Sequence, residues 1–441
     1  MLNRPSTPFD EVYCGLDLAA GSTIVAAVSG GSDSLGLLIS LHEHLKSTRP
    51  DVRLVAATID HGLRANSAAE AASVGKICAR LGLAHITGKW DGNKPRTGIA
   101  AAAREARYRL LAQVAEAHAA HIIVTGHTAD DQAETVAMRA ARGDGRGLAG
   151  MAPATLLDGR VWLVRPLLGQ RRSLLRDFLK SRDIQWIDDP TNIDTAYERP
   201  RIRQHLAANG DIERWMAVSN QAATERMETG AHAASLIVRF VTRPAPGLFR
   251  VGRAIAKTPE RETAIYALRI LLATAGGRDM LPDEQPTART IDRIALGERF
   301  RATLSRTVID SRATGIFLYR EQRGLPNAAT YLPNDIWDGR YRIIAVPSFP
   351  IAPSGQTLAA RDPVADVPQS ILRAAWAAEP AAISGSTTQS LVEQRQAEPV
   401  MALWRQMLPS FDLAPAGAIS RLLGIKQPHV SPYPGHGVGQ A

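Results

Sequence analysis

Between residues 23 and 181 short β-branched runs alternate with longer helical ones, and this alternation restricts the chain to few folds. Residues 23–28, 54–59, 84–87, 121–125 and 161–164 read as strands, and 33–45, 68–81, 99–117, 130–141 and 171–181 as the helices that follow them. A helix after every strand returns the chain to run each strand in the same direction, which gives an α/β fold with a parallel sheet and helices on both faces. Polar residues gather just after four of the strands, at 29–34, 60–64, 126–131 and from 165 onward. In an open parallel sheet ligands bind outside the carboxyl ends of the strands, so these loops are expected on one rim.

A chain of 441 residues exceeds one ordinary core, and its texture changes near residue 208. Residues 211–238, 260–275 and 288–296 read as helices, 302–309 and 315–319 as paired strands with a turn at 310–314, and 384–398 as linker or structure. The expected organisation is an N-terminal extension (1–20), an α/β catalytic domain (21–207), a mainly helical domain (208–325) and a small mixed region (326–441).

Two cysteines, Cys14 and Cys78, cannot form a Cys-x-x-Cys pair or a four-cysteine zinc site. No run approaches the roughly 18 apolar residues of a membrane span, and Asp10, Glu11 and Asp17 stand where a signal peptide needs an apolar stretch. A cytoplasmic protein without a membrane partner is expected. The formal charge of +9 divides into +4 over residues 1–210 and +5 over 211–441, which admits a polyanionic partner without locating it. Only seven of the 52 basic residues are lysine, and arginine reads phosphate in bidentate fashion, although an arginine-rich genome gives the same bias.

Val28 is followed by Ser29, Gly30, Gly31, Ser32, Asp33 and Ser34, between a buried strand and a helix. Glycines let backbone N–H groups turn inward, and the helix start adds its own donors and dipole, so an anion is stabilised there. The lysine of a Gly-x-x-x-x-Gly-Lys-Ser/Thr loop is absent, so nothing points to γ-phosphoryl transfer. A serine-rich nest with Asp33 as a Mg²⁺ candidate suits pyrophosphate as leaving group, hence attack at the α-phosphate of ATP.

The second constellation is Gly-His-Thr-Ala-Asp-Asp-Gln-Ala-Glu-Thr at 126–135. Asp130 or Asp131 can share a helix face with Glu134, and like charges so placed need a cation, either Mg²⁺ or an ammonium; plain N-terminal capping is the alternative. His61, after the second strand, is a candidate nucleotide contact or a structural histidine. Arg104, Arg107 and Arg109 flank Tyr108, and one inward arginine would neutralise charge on a transferring adenylate.

Taken with Asp-His-Gly-Leu-Arg at 60–64, Ala-Arg-Glu-Ala-Arg-Tyr at 103–108, Arg-Gly-Asp-Gly at 142–145, Arg-Pro-Leu-Leu at 165–168, and Trp186 with Asp-Asp-Pro-Thr-Asn at 188–192, these motifs closely resemble the tRNA(Ile)-lysidine synthetase family of PP-loop ATP pyrophosphatases. The resemblance runs in order over about residues 21–207. It implies that ATP adenylates the wobble cytidine of a CAU-anticodon isoleucine tRNA and that free L-lysine then displaces AMP. It also implies site roles: the loop 29–34 and His61 for ATP, Asp33 and Asp130 for Mg²⁺, Arg104 for the reacting phosphate, Asp131 and Glu134 for catalysis and lysine, and Arg199 and Arg203 for substrate. It makes the 208–325 domain a tRNA-binding one and leaves the oligomeric state open, a homodimer being among the assemblies allowed. Two departures are Ala100, where the family often has Glu, and Pro200, where it commonly has Asn.

Three other readings share these residues. A tRNA thiolation enzyme would need cysteines at the rim, a small-molecule amide synthetase would release AMP without tRNA, and a silent RNA-binding protein would not need the acids.

Overall fold

A computed structural model describes residues 7–63, 67–92, 94–95, 97–143, 145–188, 198–345, 347–355, 363–384 and 387–434. Arg64, Asp144 and positions 189–192 of the motifs above lie outside the described residues. The chain divides into two compact units, one of Met1–Arg226 with Gln406–Phe411 and His429–Ala441, the other of Met227–Arg405 with Asp412–Pro428.

In the first unit the order is α1 (Asp10–Cys14), β1 (Thr23–Ala27), α2 (Ser32–Thr48), β2 (Arg53–Asp60), α3 (Ser67–Arg80), β3 (Ala84–Lys89), α4 (Ile99–Ala117), β4 (Ile122–Thr125), α5 (Ala129–Ala140), β5 (Ala154–Leu157), β6 (Val161–Val164), α6 (Arg172–Lys180) and α7 (Glu198–Asn209), followed by α8 (Ile212–Phe240), which continues past the unit's end. Strands line up as Met407–Pro409, β5, β6, β4, β1, β2, β3. β1 is parallel to both neighbours, with Val25 opposite Val55 and Ile123, and β6 continues the parallel set beyond β4. The exits of β6, β4, β1 and β2 are therefore adjacent, as the polar loops required.

Burial follows the two-residue period of a strand. Val25 and Ala27 join Val55, Ala57, Leu111 and Leu163 in a core beneath α4, while Ile24 and Ala26, pointing the other way, are fully buried too. Both faces are covered, which is why β1 is apolar along its length. Gly36 lets α2 meet α6 closely, since a Cβ there would lie 2.8 Å from Leu175 Cδ2.

The sheet has two antiparallel additions that the strand–helix alternation does not announce. β5 turns back onto β6 through a three-residue loop, Asp158 to Arg160, whose Asp158 and Gly159 both take positive φ (47° and 69°). Met407–Pro409, far along the chain, then covers the open edge of β5.

The second unit holds β7 (Val241–Ala245), β8 (Leu248–Val251), α9 (Arg261–Gly276), α10 (Glu284–Ala295), β9 (Phe300–Leu304), β10 (Thr307–Arg312) and β11 (Gly315–Arg320), whose five strands form an antiparallel sheet in the order β7-β8-β11-β10-β9. The stretch 208–325 thus carries a whole sheet beside its helices. The expected single strand at 302–309 is instead a hairpin: Ser305 and Arg306 both take positive φ (53° and 62°) and turn β9 into β10 without a glycine. The 384–398 stretch contributes Thr387–Ser390 and Ala397–Pro399 to two three-stranded sheets. Buried Asp338 accepts from Arg320 (3.0 Å) and Arg340 (2.8 Å) and pairs with Arg306, while Glu379 takes Arg340 (2.7 Å) and Tyr341, so these interior charges are mutually satisfied.

Candidate active site

β1 delivers the chain into the phosphate loop. Gly30 lies in the left-handed region (φ 84°), where a side chain would be strained, and Ser29 N–H donates to Ser34 Oγ (3.0 Å), closing the loop on itself. Gly31 caps α2 with no side-chain acceptor, so the first N–H groups of α2 have no side-chain cap. The Gly30 carbonyl accepts Ile187 N–H (3.0 Å), and Arg176, 5.8 Å from the Trp186 ring, donates to Ser32 Oγ (3.4 Å).

Beside this loop lies a cavity of about 260 Å³ lined by Val28, Ser29, Thr58, Asp60, His61 and Arg107, among others. His61 Nδ1 is buried there with no hydrogen-bond partner among the described residues, its ring edge-on to Trp90. Burial, then the Arg107 charge, pushes the His61 pKa down, so the ring is neutral near pH 7. Of the α4 arginines, Arg107 reaches the cavity, whereas Arg104 is exposed with its guanidinium 5.0 Å from the Tyr108 ring centroid. Arg104 is still close enough for its charge to act on His127 and Arg165.

Next to β1, β4 delivers Gly126 to Glu134. Thr128 and Asp131 form a reciprocal capping box: Asp131 Oδ2 accepts Thr128 N–H (3.0 Å) and Thr128 Oγ1 accepts Asp131 N–H (3.4 Å). The capping alternative is therefore real, but it uses only one Asp131 oxygen. The other, Oδ1, accepts Arg172 Nη2 and Arg199 Nη2, both at 2.9 Å. Glu134, 1% exposed, takes Arg199 Nε (2.7 Å) on one oxygen and Arg203 Nε (2.6 Å) on the other. Asp33, from the phosphate loop, accepts Arg172 Nε (2.8 Å).

Of the four acids predicted from sequence, the structure brings Asp33, Asp131 and Glu134 together around arginines. Asp130 is turned away: its carboxylate caps α6 through Arg172 N–H (2.8 Å) and approaches Arg171 (3.4 Å). The i, i+3 pair Asp131 and Glu134, not Asp130 and Glu134, shares the guanidinium groups. Burial pushes the Asp131 carboxyl up, and Arg172 and Arg199 more than offset it, leaving it at about 2. His127, half-buried and hydrogen-bonded to Thr125 Oγ1 (2.8 Å), is pushed well down by desolvation and then by Arg165.

Sequence reasoning missed Arg172, gave His127 no role of its own, and named Arg107 among the α4 arginines but chose Arg104 as the inward one, whereas Arg107 lines the cavity. For Arg172 a signal existed: two arginines at a helix start oppose the helix dipole and need acids to hold them.

With the geometry in place, the comparisons are specific. The PP-loop domain family matches residues 8–209. A tRNA(Ile)-lysidine synthase of Mesorhizobium japonicum is 50% identical over 455 residues, covering 99% of each chain, and one of Rhizobium meliloti is 38% identical over 91% of each. This chain belongs to the tRNA(Ile)-lysidine synthase family. It is accordingly an ATP-using enzyme of the PP-loop type. Among solved structures, a U34-tRNA thiolase from Methanococcus maripaludis is similar over 48% of this chain and 76% of its own, with 17% identity and a TM-score of 0.41. No helix among the described residues is long and apolar enough to cross a membrane.

The two departures from the family's common residues are absorbed locally. Pro200 falls in the first turn of α7, where the missing N–H costs nothing, and Arg199 beside it still reaches Asp131 and Glu134. Ala100 lies in the first turn of α4, whose start carries no acid.

Proposed function

We propose that this enzyme uses ATP to join L-lysine to C2 of the wobble cytidine in the CAU anticodon of an isoleucine tRNA, in the cytoplasm. In the first step the C2 oxygen attacks the α-phosphorus, a C2–O–P linkage forms and pyrophosphate leaves. In the second, the neutral side-chain amine of lysine attacks C2, the C–N bond forms, AMP leaves with the C2 oxygen, and the amine gives up a proton. What carries this reading is that 50% identity to a relative of that name spans 99% of both chains, so the likeness includes the second unit as well as the ATP-using one.

The residues divide the work by charge. Ser29 to Ser34 and the start of α2 hold phosphate oxygens, and the adjoining cavity with His61 and Arg107 accepts the nucleoside. Mg²⁺ supplies charge neutralisation for the departing pyrophosphate when bound. Asp33 and Asp131 fit it, since they already share one cation and Mg²⁺ takes one or two carboxylates beside phosphates. Asp130, committed to α6, fits less well. Arg104, on the exposed face of α4 near His127, offers charge to the adenylate. Asp131 and Glu134, now covered by Arg199 and Arg203, suit the lasting α-ammonium of lysine, and one of them accepts the amine proton. The second unit shares the hold on tRNA.

A thiolation reading is disfavoured by the cysteines: Cys14 is exposed on α1, and Cys78 is buried in α3 with its thiol pushed up to about 11 by burial. The test is nucleoside analysis of isoleucine tRNA after incubation with ATP, Mg²⁺ and lysine, each omitted in turn. Lysidine should form only in the complete mixture, and AMP release without tRNA would instead mark a small-molecule synthetase.

A further inference from the structure

One residue touches all four of the acids predicted for this site, Asp33, Asp130, Asp131 and Glu134. The Arg172 guanidinium donates through Nε to Asp33 (2.8 Å) and through Nη2 to Asp131 (2.9 Å), and its Nη1 lies 3.6 Å from Glu134. Its backbone N–H donates to Asp130 (2.8 Å). It stands at the first position of α6, where a positive charge opposes the helix dipole. A local rule broken at a helix start, and compensated only by acids from other elements, marks a functional position. The side chain is 15% exposed, and its two short bonds bridge carboxylates from two different strand exits.

We propose that Arg172 is the resident counter-ion of this site: without magnesium it holds Asp33 and Asp131 together, and when the magnesium nucleotide arrives it releases them and turns to phosphate oxygens. This rests on the Mg²⁺ assignment made above. Guanidinium and divalent cation compete for the same two carboxylates, and two carboxylates cannot remain close with neither present. A guanidinium that leaves a carboxylate finds an equivalent bidentate partner in phosphate, so the exchange keeps every charge compensated. Arg172 is thus a positioning residue for the acids and sets how much metal the site takes before nucleotide is present.

The test uses the full-length, nucleotide-free chain with Mn²⁺ as probe, followed by electron paramagnetic resonance. Arg172→Gln should bind Mn²⁺ at least about tenfold tighter than the unmodified chain, because the one guanidinium that bridges Asp33 and Asp131 is gone while both carboxylates remain and Arg199 holds Asp131 alone. Asp33→Asn added to Arg172→Gln should abolish the gain. Arg172→Lys, which keeps the charge but lacks the planar fork that spans the two carboxylates, should gain less than Arg172→Gln, and it carries the test if the glutamine variant does not fold. Arg182→Gln, which removes a distant charge, should bind as the unmodified chain does. Equal Mn²⁺ affinity in the unmodified and Arg172 variants, or an equal gain in Arg182→Gln, overturns the proposal. Lysidine formation by the unmodified chain is scored separately: its presence with no Mn²⁺ gain defeats this inference alone, and its absence defeats the functional reading.

Discussion

Replacing Gly126 by alanine should disable the phosphate loop from the neighbouring strand. Gly126 directly follows β4, and a Cβ built on it would lie 2.5 Å from the Asp33 carbonyl oxygen, 2.8 Å from its carbon and 3.0 Å from Ser34 Cα. All three are backbone atoms in the first turn of α2, so no side chain can swing aside. Ordinary contact requires a retreat of about 1 Å, and overpacking of this kind costs about 1–3 kcal/mol. A unit of this size loses about 2–4 °C per kcal/mol, so the midpoint should fall by several degrees. The larger effect is on chemistry: a shift of about 1 Å in Asp33 and the α2 start should lower adenylation on the order of 100-fold. Gly82→Ala is the control, since that residue has φ 70° with nothing within 4 Å; it should cost only about 1–2 kcal/mol of left-handed strain and leave catalysis alone. The assay is thermal unfolding together with tRNA-dependent exchange of pyrophosphate into ATP. If Gly126→Ala exchanges at the rate of the Gly82 control, the close approach of β4 to the loop does not set its geometry.

Further outcomes follow from the same structure. Asp33→Asn should leave folding intact but slow pyrophosphate exchange by about tenfold or more, since a charged contact is worth about 1.5–3 kcal/mol; an unmodified rate removes Asp33 from the metal site. A fragment ending at residue 207 should aggregate rather than fold alone, because it lacks Ser219, which accepts Gln132 Nε2 (3.0 Å), and leaves the β5 edge uncovered without Met407–Pro409; a monodisperse, cooperatively unfolding fragment in sedimentation would refute this. Burial depresses the pKa values of His42, His61, His85 and His127, so their stabilisation is present above the unfolded value of about 6.5 and is lost as pH falls toward the folded values. Urea midpoints should therefore drop as pH falls below about 6.5, and His127→Gln should flatten that slope.

The parallel sheet was legible because its signal is repetitive: every buried strand is apolar on both faces, and every helix that follows has length enough to cross back. The ends of α4 and β6 agree with the periodicity to the residue. The glycine loop after β1 and the acids after β4 were legible as candidates because glycines and carboxylates gathered at strand exits have few structural uses. Failures came where the deciding partner is distant in sequence or where a turn lacks its usual residue. Nothing local in Met407–Pro409 says that it will complete a sheet begun near residue 23, and Ser305-Arg306 turns a hairpin with side chains that rarely accept positive φ. Arg172 escaped because a helix start is searched for acids and caps, and this one is basic. Asp130 was misplaced because spacing fixes which residues share a helix face but not which neighbouring element draws a side chain, and here α6 draws it.

The two strand exits that meet at this site differ in a way that explains its polarity. The chain runs from β1 outward through β2 and β3, then returns to place β4 on the other side of β1, so β1 and β4 flank the switch point of the sheet. Both open into helices, and every helix start offers unpaired N–H donors. At α2 the cap is Gly31, which brings no acceptor, and the donors and the dipole are left for an anion. At α5 the capping box of Thr128 and Asp131 consumes donors internally. What α5 then presents is the remaining Asp131 oxygen and Glu134, that is, negative charge, which requires cations. Two helix starts side by side, one uncapped and one capped by an acid, give an anion-binding pole next to a cation-binding pole, with Gly126 keeping them in van der Waals contact. The proposed reaction must hold a polyphosphate on one side and the α-ammonium of lysine on the other, so it needs that juxtaposition, and the sequence supplies it through the choice of Gly31 at one cap and Thr128 at the other.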